Sequence, residues 1–241
     1  MYGMYGYGYG YGLAPTIILV LIGVALSLWA QGRVNSTFSR YSRVRSMTGM
    51  TGAEAARRLL NAQGIYDVTV QQIAGELTDH YDPRTKTVNL SQSVYGATSV
   101  AAIGVAAHEC GHAMQDNEGY APLRFRSALV PVANFGSSLS WPLILLGLVF
   151  GGLGSPLVEI GILMFSLAVL FQLVTLPVEY NASARAVRLL DAQGILAGEE
   201  VNGTRKVLNA AALTYVAAAA TSILQLLRLI ILFGGRNRRD R

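Results

Sequence analysis

Four stretches of the chain are apolar for long enough to set its architecture. Residues 13–30 run for eighteen positions without a charge, about 27 Å as a helix and close to the hydrocarbon thickness of a bilayer. Residues 127–153 and 156–177 form a second apolar block, broken at "GGLGSP". That break predicts a tight turn and hence a transmembrane helical hairpin, with Pro131 and Pro142 kinking its first helix. Residues 213–233 are a fourth run, carrying Gln225 and Arg228, polar groups that face a helix bundle or mark a segment at the interface.

The intervening segments follow other periods. "TGAE" at 51–54 is a capping box that opens an amphipathic helix, and "NAQG" closes it at Gly64. "RAVRLLDAQGI" at 185–195 has the same pattern as "AARRLLNAQGI" at 55–65, and two short copies with similar caps are too few for a repeat architecture. "DVTVQQI" and "KTVNLS" alternate as strands do, with "YDPRT" as a turn between them. A small β element therefore precedes the helix "VAAHECGHAMQ". Ahead of the first run, "MYGMYGYGYGYG" has no apolar period and predicts a disordered tail. No basic n-region or small-x-small cleavage site accompanies that run, so it reads as a retained anchor.

Composition agrees with membrane residence. The chain of 241 residues is 52% hydrophobic and 14% charged, against about 25% charged in soluble domains. Its net charge of +5 does not point to nucleic acid, because the arginines flank apolar runs and no aromatic-basic platform accompanies them. Arg33, Arg40, Arg43 and Arg45 follow the first run, and Arg185, Arg188, Arg205 and Lys206 follow the third, while the hairpin turn has no Lys or Arg. The positive-inside rule then puts residues 31–126 and 178–212 on the cytoplasmic side of the plasma membrane. The basic tail at 234–241, which ends in "RNRRDR", runs against this if the fourth segment spans fully. The single cysteine, Cys110, makes no internal disulfide possible and gives no sign of an oxidising compartment.

The candidate chemistry lies in His108-Glu109-x-x-His112. A helix sets i and i+4 on one face with Cβ atoms about 6 Å apart, a span one zinc ion bridges through two imidazoles. Glu109 stands beside that face, placed to take a proton from a water on the metal. Ala101, Gly104 and Val105 continue the face as a small apolar floor. The rival reading is a buried helix whose histidines satisfy each other. Catalytic zinc needs a third protein ligand, and three residues are candidates: Glu118, His80 in "LTDHYDP", and Glu179 in "LPVEYNASARA". Glu118 falls where a third ligand follows in some peptidases, but Gln115 occupies the position where those chains turn on glycine.

The strings "LTDHYDPRTKTVNLS", "YGATSVAAIGVAAHECGHAMQ", "LPVEYNASARA" and "AALTYVAAA" resemble the YugP-like family of membrane neutral zinc metallopeptidases. The layout is more distantly similar to the gluzincins HtpX and the CAAX prenyl protease, where a later helix bears E-x-x-x-D and its Glu is the third ligand. The resemblance implies Glu179 as that ligand beside His108 and His112. It departs at the Asp, where Ser183 stands, so Asn181, Ser183 or Arg185 takes over the orienting role. His80 is then released to donate to the oxyanion, or simply flanks a turn, bonded to Asp79 or Asp82.

The expectation is a mainly α, multi-pass membrane protein with a small zincin-like α+β portion, a short β-hairpin followed by the HExxH helix. Its segments are a tail (1–12), a first span (13–30), a membrane-associated catalytic segment (31–126), a hairpin (127–177), a helical segment with the third ligand (178–212), a fourth span (213–233) and a basic tail (234–241). The expected function is zinc-dependent peptide hydrolysis with Glu109 as general base, acting on peptide or protein substrates in contact with membrane lipid, with "KTVNLS" as the edge that pairs with substrate. The alternative is a membrane scaffold with a structural or vestigial zinc.

Overall fold

The computed structural model describes residues 10–152 and 155–233. The basic tail and residues 1–9 of the Tyr/Gly segment lie outside the described residues, and Gly10 already belongs to the first helix. The described elements are α1 (Gly10–Tyr41), α2 (Gly52–Ala62), β1 (Thr69–Ile73), β2 (His80–Asp82), β3 (Thr87–Ser91), α3 (Gln92–Tyr95), α4 (Val100–Asn117), α5 (Ala121–Gly151), α6 (Pro156–Ala192) and α7 (Glu199–Phe233). Four helices are long and apolar enough to cross a membrane: Thr16–Tyr41, Ala121–Gly151, Pro156–Ala192 and Glu199–Phe233. Each outruns its apolar stretch: the helices run on through Gly32 and Gly203, and Pro122 falls in the first turn of α5, where proline is tolerated. The helix pattern read over 178–212 is interrupted only at 193–198, where Gly194 and Gly198 take positive φ.

The chain divides into two compact units. One comprises the described residues up to Trp29, 128–173, and those from Val216 onward. Its packing relies on small residues: a Cβ at Gly161 would lie 2.8 Å from the Ser140 carbonyl oxygen, so α5 and α6 touch through their backbones. Ser137, Ser138, Ser140 and Ser166 each donate to a carbonyl three residues back. Their hydroxyls are thereby satisfied within the helix, as hydrocarbon surroundings demand. Large apolar side chains point outward, Phe150 being 80% exposed.

The second unit comprises 30–127 and 174–215. Helix α4 is its axis, buried along nearly its whole length. Alanines make this possible: Ala53 and Ala56 of α2 pack against Ala102, Ala106 and Cys110 of α4, a close helix pair that larger side chains would hold apart. The expected capping box is present, with Glu54 N–H donating to Thr51 Oγ1 (3.2 Å) and Thr51 N–H donating to Glu54 Oε2 (2.8 Å). The two "AQGI" ends also match, since Gly64 and Gly194 both take positive φ and Ile65 and Ile195 each donate back to a leucine carbonyl. Arg58 then bonds the Gln193 carbonyl at 2.8 Å, tying one helix end to the other.

The sheet departs from expectation in one respect. Its order is β1-β3-β2; β1 runs parallel to β3, and the hairpin is formed by β2 and β3. "DVTVQQI" and "KTVNLS" are therefore neighbours but not hairpin partners. Residues 74–79 carry the chain from one side of β3 to the other, using positive φ at Gly75 (102°) and Leu77 (54°). It follows that "KTVNLS" is the central strand and cannot accept a substrate strand; the edge strand next to α4 is β2, whose Tyr81 N–H is taken by Glu109. On one sheet face Val70, Val88 and Tyr81 turn toward the core, while Gln71, Asn89 and His80 share the other through side-chain hydrogen bonds.

Replacing Thr51 by Ala removes one half of the capping box. The expected cost is about 1 kcal/mol, read as a lower midpoint of thermal unfolding in detergent with the metal content unchanged.

Candidate metal centre

One turn of α4 separates His108 from His112, and their rings meet edge to face with centroids 4.7 Å apart. Glu179 reaches them from α6, only 2% exposed. Its Oε2 lies 3.2 Å from His108 Nε2 and 3.6 Å from His112 Nε2. One ligand atom from each of the three side chains lies within 4.8 Å of the others. Metal–nitrogen and metal–oxygen bonds of about 2.0–2.1 Å in a tetrahedral site hold neighbouring ligand atoms about 3.3 Å apart. The two imidazoles and the carboxylate therefore fit a divalent ion with little adjustment, and the donor set is one that catalytic zinc takes.

The approach of α6 to α4 depends on Gly111, inside the motif itself. A Cβ there would sit 2.6 Å from the Ala182 carbonyl oxygen, so only glycine lets the two backbones meet. Ala182 lies nearly one turn beyond Glu179, and that contact puts the carboxylate across from both histidines.

Hydrogen bonds fix which ring nitrogens face the centre. With Nδ1 protonated, His108 donates to Ser183 Oγ (3.1 Å) and His112 donates to Gln115 Oε1 (3.0 Å). Both Nε2 atoms are left free to ligate. Gln115, fully buried, uses its amide hydrogens on the Val178 carbonyl and on Asn181 Oδ1, each at 2.9 Å. Arg185 Nε donates to the same Asn181 oxygen at 2.7 Å and Arg185 pairs with Glu118 at 2.6 Å. Of the orienting residues expected, Ser183 touches a histidine directly, whereas Asn181 acts through Gln115 and Arg185 through Asn181. Glu118 is occupied by Arg185 and lies outside the ligand group.

Glu109, 8% exposed, accepts from the Tyr81 backbone N–H at 3.0 Å, so β2 and the HExxH helix meet at this carboxylate. Tyr81 turns its hydroxyl to Asp116 (2.9 Å), which Lys86 also contacts at 2.8 Å. Burial works to raise the Asp116 carboxyl, but these hydrogen bonds outweigh it and hold it below its usual range. Asp79 takes the Ser91 N–H and hydroxyl; burial pushes its carboxyl up against those bonds, and the charge of Glu109 adds to the push. Cys110 projects elsewhere, its thiol donating to the Ala56 carbonyl.

His80 is not brought into this group. Exposed on the sheet face opposite Tyr81, it bonds the Thr78 carbonyl (2.9 Å) and Asn89 (3.1 Å), and neither Asp79 nor Asp82. Two residues not anticipated do stand at Glu179: Arg126, 3.8 Å from Oε1, and Tyr215, whose hydroxyl bonds the carboxylate. Gln115 was the third omission, although its place three residues after His112 puts it on the same helix face. Beside His108 and Glu179 opens a cavity of about 330 Å³, with Val34, Leu77, Val105, Leu208 and Tyr215 in its wall.

Residues 16–234 match the family described as "Putative neutral zinc metallopeptidase", and the chain belongs to that family. Zinc is the metal that membership implies. The chain is 49% identical over 213 residues to the "Putative membrane protease YugP" of Bacillus subtilis (strain 168), which covers 88% of this chain and 94% of that protein. No solved structure matches it.

Two substitutions probe the support of the centre. Gln115→Leu leaves His112 Nδ1 without its acceptor and is expected to weaken zinc affinity about 10- to 100-fold, measured by competition with a chromophoric chelator. Gly111→Ala forces α4 from α6 and should lose zinc to a similar degree, with an overpacking cost of roughly 1–3 kcal/mol. Glu118→Gln should leave zinc binding as it is.

Proposed function

We propose that the protein is an integral membrane zinc endopeptidase that cleaves extended peptide segments at the cytoplasmic face of the plasma membrane. The observation that carries this reading is Glu179, buried and directed at the two HExxH imidazoles, with Glu109 beside them. His108, His112 and Glu179 would hold the metal. Zinc bound there supplies Lewis acidity toward the scissile carbonyl and an acidified water. Glu109 takes the proton of the attacking water and passes it to the leaving amine, its carboxylate kept in place by the Tyr81 N–H. Tyr215, in the cavity wall against Glu179, turns its hydroxyl from that carboxylate to donate to the oxygen on which negative charge develops, with Arg126 adding positive potential. This is the task expected of His80, whose ring is committed on the other sheet face.

One side chain of the extended substrate enters the largely apolar cavity beside His108 and Glu179. The cavity wall and its size favour an aliphatic or aromatic residue. The cytoplasmic orientation rests on the arginines that follow the first and third apolar runs. A scaffold with structural zinc is less economical, because such a site needs neither a carboxylate beside the ligands nor an open cavity.

Expected kinetics separate the roles. Glu109→Gln retains zinc but loses about 10²- to 10⁴-fold in kcat on a quenched peptide; full activity in a zinc-loaded Glu109→Gln protein would end the proposal. Tyr215→Phe lowers kcat by roughly 10²-fold with KM nearly unchanged, while His80→Ala leaves both within about twofold.

A further inference from the structure

A second cavity in the same unit, about 670 Å³, shares no lining residue with the one beside the metal centre. Its volume lies within the range of about 300–1,000 Å³ that small-ligand sites occupy. Three cations line it: Arg33 and Arg40 of α1 and Lys206 of α7. Ser36, Thr37 and Asn209 add neutral hydrogen-bonding groups, and no carboxylate lines it. Among the described residues none of the three cations forms an ion pair; Arg40 only lies over the Tyr41 ring, 5.7 Å from its centroid. Three like charges converge on one hollow with no ion-pair partner among the described residues. Such an arrangement is self-repelling without an anion and is complementary to one.

The place of the cavity along the helices narrows the anion. Arg33 stands three residues past the first apolar run, Leu213 in the cavity wall opens the fourth, and Tyr180 follows the third by three residues. The hollow is therefore built where three helices pass from apolar to polar sequence, the level at which lipid headgroups lie. Guanidinium forks bind phosphate oxygens in pairs, and an ammonium with flanking hydroxyl and amide groups completes the shell. We propose that this cavity binds the phosphate of an anionic phospholipid headgroup, with Arg33, Arg40 and Lys206 as its counter-charges. The proposal does not depend on the peptidase reading.

The test uses full-length protein, delipidated in neutral detergent and titrated with phosphatidylglycerol or phosphatidylcholine under native mass spectrometry. The wild type is expected to hold phosphatidylglycerol more tightly than the combined variant Arg33→Gln, Arg40→Gln, Lys206→Gln by roughly tenfold or more. Phosphatidylcholine should bind both alike. A control carrying Arg57→Gln, Arg58→Gln and Arg84→Gln, of equal charge and remote from the cavity, should behave as wild type; if it weakens equally, the effect is net charge and the proposal falls. Asn209→Glu, a single exposed change that puts a carboxylate among the cations, should also release phosphatidylglycerol and decides the matter if the triple variant does not fold. Displacement of the lipid by equimolar inorganic phosphate would make the ligand a free phosphate and overturn the lipid assignment.

Discussion

The contact on which the site depends is one without a side chain. Gly111 lets the HExxH helix lie directly on the backbone of α6 at Ala182, and no other residue type fits there. Everything polar around the centre follows from that approach. It puts Glu179 within 3.2–3.6 Å of two imidazoles, Ser183 under one ring and the carbonyl of Val178 within reach of Gln115. A longer separation would leave a buried carboxylate and a buried amide without partners, which costs more than the bonds themselves contribute. The alanine-rich composition of α2 and α4 serves the same end, keeping helices close enough for short side chains to meet across them.

Polar groups in so apolar a chain are affordable only as a complete set. His112, Gln115, Asn181, Arg185 and Glu118 form a chain of hydrogen bonds from the buried centre to the surface, in which Gln115 uses both its oxygen and its nitrogen. Relatives of the gluzincin layout place a carboxylate on a zinc-bound histidine. Here a serine hydroxyl and a glutamine amide do the orienting, so no further negative charge is added beside Glu179 and Glu109.

What could be read from the sequence divides by range of interaction. His108, Glu109 and His112 are a local pattern, fixed by helical spacing, and the four long helices and the capping box are equally local. Glu179 lies 71 residues from His108, and only family resemblance singled it out from Glu118 and His80. The β element was misread in its pairing because β2 has three residues, too few to display alternation, and because a parallel neighbour cannot be inferred from a turn. Tyr215 was hidden by its setting, a run of alanines in which apolar phase carries no information about which face is buried. Gln115 shares a helix face with His112 by spacing alone, but the sequence does not show that its buried amide has partners on α6.

The thiol of Cys110 sits between the metal-binding histidines in sequence but on the far side of α4, wholly buried and donating to the Ala56 carbonyl. Burial pushes its pKa well up and so disfavours the thiolate that oxidants, alkylating reagents and soft metals require. As it is the one cysteine of the chain, the folded protein is expected to react only slowly with maleimides. Any cysteine introduced on its surface becomes a unique attachment point for a fluorophore or spin label, with the native sequence otherwise intact.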